Sequence, residues 1–197
     1  SIGDAVTRYI IDDPDDTQRY VSVGFWVTLI GCLVMLLLTP MLGLSVFGGL
    51  GDYRVLYFAY FVATAFNAFL ANVARGVNQI KLITWVSIAS SIVSASTAGL
   101  LIGLLGWKVE GYFVSLILGA SVAVVLYLVF GGAWKYIRVP ELVQDRLILK
   151  KMLLYSVPLM PNTIFWWIGT GVNRLFFPSM LGRGASGLFA ADSNIPN

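Results

Sequence analysis

Histidine is absent from the 197 residues, cysteine occurs once, and charged residues make up only 12%. Without an imidazole there is no histidine-ligated metal site, no base for a serine or cysteine triad, and no histidine-based acyl transfer. A lone Cys32 within an apolar run excludes an intrachain disulfide framework. The charge content is about half that of a soluble domain. There is also no basic patch interleaved with aromatics on a polar face. The net charge of +3 therefore reads as basic loops beside a membrane, with no nucleic acid as partner. No signal peptide is visible, and the absence of a leading methionine reads as an internal piece of a longer chain.

What is present in quantity is apolar. Hydrophobic residues reach 58% and the mean hydropathy is +0.82. The expected fold is all-α: a polytopic transmembrane helix bundle with five complete spans and the start of a sixth. The spans read as Val21 to Leu38, Val55 to Ala74, Leu82 to Trp107, Gly111 to Trp134 and Met152 to Leu181, with a sixth opening at Ala185. Each of the five is near or above the roughly 20 apolar residues that cross a bilayer. The expected divisions are 1–134, 135–151 and 152–197, the middle segment being a basic connection.

Several polar features have two readings. Asp4 and Arg8 have the spacing of an ion pair on one helix face. The acid run from Asp12 to Asp16 could be imagined as a cation site, but Pro14 breaks it and calcium-loop spacing is missing, so a solvated turn is favoured. Asn67 and Asn72, within the second span, could contact sugars or make an interhelical hydrogen bond, and the second reading is the more economical. Ser87, Ser91, Ser94 and Ala98 form a stripe of small residues at helical spacing, which favours close helix packing. Tyr136 to Lys151 combines basic residues with Ile137, Val139, Leu142, Leu147 and Leu149, the pattern of a short amphipathic segment at the interface.

Alternating spans place Arg8, Arg19, Arg75, Lys81, Lys135, Arg138, Arg146, Lys150 and Lys151 on one side. Basic loops mark the cytoplasmic face, so this side is expected to lie inside. The stretch MLLYSVPLMPNTIFWWIGTGVNRLFFPSML, Met152 to Leu181, carries Arg174 as its sole charge and is interrupted by Pro158 and Pro161. Proline frees a carbonyl that must find a partner or cavity water in a membrane. Arg174 lies about 33 Å along a straight helix from residue 152. It either snorkels to headgroups or faces a cavity.

Pro158, Pro161, Trp167, Arg174, Gly182, Gly187, Phe189, Ile195 and Pro196 together resemble the seventh-helix signature of bacterial polysaccharide flippases. These O-antigen and exopolysaccharide transporters belong to the multidrug/oligosaccharidyl-lipid/polysaccharide flippase superfamily. Three residues depart from the pattern: Asn173 stands where an acid is usual, Phe189 replaces tyrosine and Asn194 replaces lysine. Gly3, Asp4, Ala5 and Arg8 are similar to the step by which the family leaves its second helix, and Gly106, Gly111 and Gly119 resemble its glycine-bearing fifth loop and sixth helix.

The resemblance implies two six-helix lobes around a cavity, with residues 1–134 supplying most of the first lobe and 152–197 starting the second. It also implies a flippase of the cytoplasmic (inner) membrane that moves a polyprenyl-pyrophosphate-linked oligosaccharide by alternating access. Arginine suits a diphosphate through its planar fork. Arg174 and Arg8 are accordingly the candidate substrate cations, Asn162 and Asn67 the candidate sugar contacts, and Pro158 and Pro161 the candidate gating residues. No bond is made or broken in this scheme, so no catalytic residue, cofactor or metal is expected; a coupling ion, H+ or Na+, stays open. The alternatives are a membrane glycan polymerase or ligase, which usually needs a large extracytoplasmic loop, a drug or small-solute exporter of the same superfamily, which acidic residues in the spans would favour, and a non-transporting subunit.

Overall fold

A computed structural model describes residues 2–40, 53–138 and 145–158. Arg174, Asn162 and Pro161 lie outside the described residues, as do most of the fifth expected span and all of the sixth. Among the described residues there is no strand, and the fold is all-α. The chain divides into two compact units, the first being Ile2–Leu153. Of the second, residues 154–158 are described and are helical, with Pro158 the last of them.

The first unit opens with α1, Ile2–Asp12. This is an amphipathic helix whose buried residues Gly3, Val6 and Ile10 recur every three or four positions. Its outer face carries Arg8, whose Nε lies 3.5 Å from Asp12 Oδ2. The acid run is a turn: Pro14–Asp16 form a short 3₁₀ segment, and Thr17 Oγ1 donates to the Pro14 carbonyl at 2.7 Å. Four helical segments follow that are long and apolar enough to cross a membrane: Pro14–Leu38, Arg54–Gly76, Ile80–Leu104 and Val109–Gly131. Their α-helical parts are α2 (Thr17–Leu38), α3 (Arg54–Gly76), α4 (Ile80–Ala98) and α5 (Val109–Gly131). Residues 145–153 close the unit as α6.

These helices bury part of their apolar surface against one another, such as Val21, Phe69, Leu70 and Val73, and leave many large apolar side chains uncovered. Leu37, Trp85 and Phe130 are 78%, 71% and 70% exposed. Large contiguous apolar surface of this kind is rare on a soluble monomer and matches a hydrocarbon environment. The chain is a membrane protein.

Helix ends follow local chemistry. The α3–α4 turn passes through Asn78 at φ 59°, a conformation asparagine tolerates better than most residues. α4 continues through Gly99–Leu104 as a π-helical segment, closed by Leu105 N–H donating to the Leu100 carbonyl at 3.1 Å. α5 stops at Gly131, short of the expected Trp134, because Gly132 turns left-handed at φ 60° and the chain re-coils over Ala133–Tyr136.

Packing relies on small residues, as expected where the lipid is as apolar as the side chains. On α5, a Cβ on Gly119 would strike Ser94 Oγ, and it would stand 3.0 Å from the Ser90 carbonyl. Ser90 Oγ donates to the Gly119 carbonyl at 2.9 Å, and Ser94 Oγ to the Ser115 carbonyl at 3.2 Å. The stripe expected from the sequence is thus rotated. Val86, Ser90, Val93, Ser94 and Thr97 form the less exposed face of α4, while Ser87 and Ser91 are exposed.

Candidate functional site

The basic segments grouped by span alternation converge in the fold. A side chain at Gly76 would meet Ile10 of α1 at 2.9 Å, which sets the end of α3 directly against α1. Ser22, near the start of α2, bonds to the chain that follows α5: its Oγ donates to the Tyr136 carbonyl at 2.8 Å. Arg8, Arg75, Lys135 and Arg138 therefore sit at one end of the bundle.

At this end α1 and α3 frame an open cleft of about 350 Å³, lined by Asp4, Thr7, Arg8, Asp12, Asn72 and Arg75 among others. Asn72 is its hub. Thr7 Oγ1 donates to the Asn72 carbonyl at 2.8 Å, and Arg75 Nη1 donates to Asn72 Oδ1 at 3.0 Å. Gly3 permits this approach, since a Cβ there would collide with Asn72 Nδ2. Asn72 is 8% exposed, so a buried amide holds one guanidinium in place. Arg8 stands on the opposite wall, more than half exposed. The cleft offers two guanidinium forks, an arrangement suited to oxyanions. The Asp4 and Asp12 carboxylates offset their formal charge.

Of the residues expected from sequence, the structure places Arg8 in this cleft. Asn67, half-buried on α3, does not line it. For Asn72 the hydrogen bonds to α1 are observed. Arg75, grouped from sequence only with the basic residues of the cytoplasmic side, stands as Arg8's counterpart across the cleft. The available signal was its helical spacing of three from Asn72.

A second constellation was invisible in the sequence. Trp26 Nε1 donates to the Arg138 carbonyl at 3.0 Å, and Arg138 Nη2 donates to Asp145 Oδ1 at 3.2 Å. Asp145 is buried at 3% exposure, so its carboxylate is matched where it would otherwise be costly. This clasp ties the start of the basic connection to α2.

Fold and composition define an integral membrane protein built from a helical bundle with a polar cleft at one end. A family model described as "Polysaccharide biosynthesis protein" matches residues 2–196. The chain belongs to this family of polysaccharide flippases within the multidrug/oligosaccharidyl-lipid/polysaccharide flippase superfamily. Neither the curated proteins nor the solved structures give a match to it. Its role is in polysaccharide biosynthesis, in a family whose members are generally transporters rather than enzymes.

Proposed function

We propose that the chain is part of a flippase that carries a polyprenyl-pyrophosphate-linked oligosaccharide across the cytoplasmic membrane by alternating access. The observation that carries this reading is the family match over residues 2–196, on a chain whose helices are long and apolar enough to span a bilayer. Residues 1–134 supply most of the first lobe, 135–151 the connection between lobes, and 152–197 the start of the second. The basic end of the bundle faces the cytoplasm. There the diphosphate headgroup meets Arg8, with Arg75 across the cleft; Arg174 is the other candidate cation for it. Asn67 and Asn162 contact the glycan. Pro158 and Pro161 act as gating residues for the rocking of the lobes, with H+ or Na+ as the candidate coupling ion.

Arg174 tests the scheme. A guanidinium that grips a diphosphate uses its fork, and lysine replaces it poorly. A snorkelling arginine needs only a long stem and a charge, and lysine serves. In a flippase-deficient strain, Arg174→Lys and Arg174→Ala in the full chain should both fail to restore surface glycan at normal membrane abundance. Full rescue by either variant removes Arg174 from the substrate path. Recovery of a drug-efflux phenotype without surface glycan would overturn the substrate class.

A further inference from the structure

The arginines of the first unit are not equally committed. Arg8 is matched to Asp12, Arg19 to Asp16 and Arg138 to Asp145. Arg75 is matched to an amide: its Nη1 donates to Asn72 Oδ1, and it has no carboxylate partner among the described residues. An amide oxygen orients a guanidinium without cancelling its charge, whereas a carboxylate does both. The guanidinium also carries more N–H donors than this one bond uses, so most of its fork is left for a ligand.

Asn72 is itself held from both ends. Thr7 Oγ1 of α1 donates to its backbone carbonyl and stands 3.5 Å from its Oδ1. Arg75 Nη1 and the Thr7 hydroxyl thus meet at one oxygen, which sets the guanidinium at the seam where α1 and α3 wall the cleft. The other end of the amide, Nδ2, lies where a Cβ on Gly3 would fall. An amide packed in this way is ordered before any ligand arrives, which lowers the cost of binding one. The two carboxylates that line the cleft, Asp4 and Asp12, both belong to α1, as Arg8 does. Arg8 meets an anion beside the competing Asp12 carboxylate, while Arg75 can keep its bond to Asn72.

We propose that Arg75 is a diphosphate-binding cation of this cleft and that Asn72 is the positioning residue that aims it, the identity of the anion resting on the flippase reading above. Asn72 makes no contact with the ligand in this arrangement. It acts through Arg75, by fixing where the fork stands while leaving its charge intact.

The test is a double-mutant cycle read by binding. Inorganic pyrophosphate is titrated calorimetrically into the detergent-solubilised full chain. Arg75→Gln and Asn72→Ala should each weaken binding about tenfold, the weight of one hydrogen bond to a charged group. In the Arg75→Gln background, Asn72→Ala should cost nothing further, whereas a merely structural asparagine would give losses that add. Asn72→Ala keeps the backbone carbonyl that Thr7 uses, and thermal melts check that each variant folds. If it does not fold, Asn72→Asp decides: it keeps the acceptor but matches Arg75 with a carboxylate, so binding should fall. Phosphatidylglycerol added to the micelles should not displace the pyrophosphate. Absence of binding by the wild type, additive losses, full affinity in Asn72→Asp, or displacement by phosphatidylglycerol overturns the assignment. Surface glycan in a flippase-deficient strain separates this site from the transport reading. If binding follows the cycle while Arg75→Gln restores full surface glycan, Asn72 still positions Arg75, and the flippase reading of the cleft is what fails.

Discussion

Ser22 and Arg138 lie 116 positions apart in the chain, yet the Arg138 backbone N–H donates to Ser22 Oγ at 3.0 Å. The same hydroxyl serves the Tyr136 carbonyl, and the Trp26 indole takes the Arg138 carbonyl. Ser22 is fully buried. Three backbone groups of the connection thus end on one helix, so the connection has a fixed origin on α2.

Removing the hydroxyl leaves the Arg138 N–H without its acceptor, at a cost of about 1–3 kcal/mol. In Ser22→Ala, trypsin should cut at Arg146 and Lys150 faster, by about tenfold for each 1.4 kcal/mol lost. Adding Trp26→Phe should accelerate cutting further. Unchanged cleavage in the double variant would mean that the clasp does not restrain the connection.

The contact between α4 and α5 has no room for a methyl group. Gly119→Ala should lower the melting temperature of the detergent-solubilised protein, because Ser94 Oγ must move and the Ser90 carbonyl blocks retreat. Ser94→Gly in the same chain should recover part of the loss, since it removes the side-chain obstacle and leaves the backbone one. A Gly119→Ala variant as stable as the wild type would show that these helices separate freely.

That contact also marks how far the sequence could be read. Helix type and the approximate spans follow from hydropathy, and α1 from its amphipathic spacing. α4 and α5 are apolar all round, however, so periodicity reveals a stripe of small residues without telling which side a neighbour covers. Ser87 and Ser91 share a stripe with Ser94 but point away from α5. The cleft was partly legible: Arg8 stands out as a cation at a helix end. Arg75 and Asn72 join it only because α1 folds back on α3, and hydropathy carries no record of that pairing. The clasp depends on two segments more than a hundred residues apart.

Orientation can be read chemically. In a Cys32→Ala background, Ile80→Cys and Val109→Cys place thiols at opposite ends of the bundle, both on exposed positions. A membrane-impermeant thiol reagent added to intact cells should label Val109→Cys and reach Ile80→Cys only after the inner face is opened. The reverse pattern would turn the bundle over and move the Arg8–Arg75 cleft to the outer face.

Arg8 separates a structural ion pair from a substrate cation. Its contact with Asp12 spans one helical turn at 3.5 Å, with both side chains more than half exposed. Such pairs contribute about 0.3–0.5 kcal/mol, too little to decide whether the protein folds. Arg8→Gln should therefore leave membrane abundance and melting temperature close to wild type. If Arg8 receives the diphosphate, the same variant should cut surface glycan display at least about tenfold, as expected for one lost charge-assisted contact. Arg8→Lys should restore it only in part, because a point charge lacks the paired geometry of the fork. Asp12→Asn supplies the control: it removes the Asp12 charge without removing the cation, so transport should be kept or raised. Equal losses in Arg8→Gln and Asp12→Asn would assign the pair to structure and take Arg8 out of the substrate path.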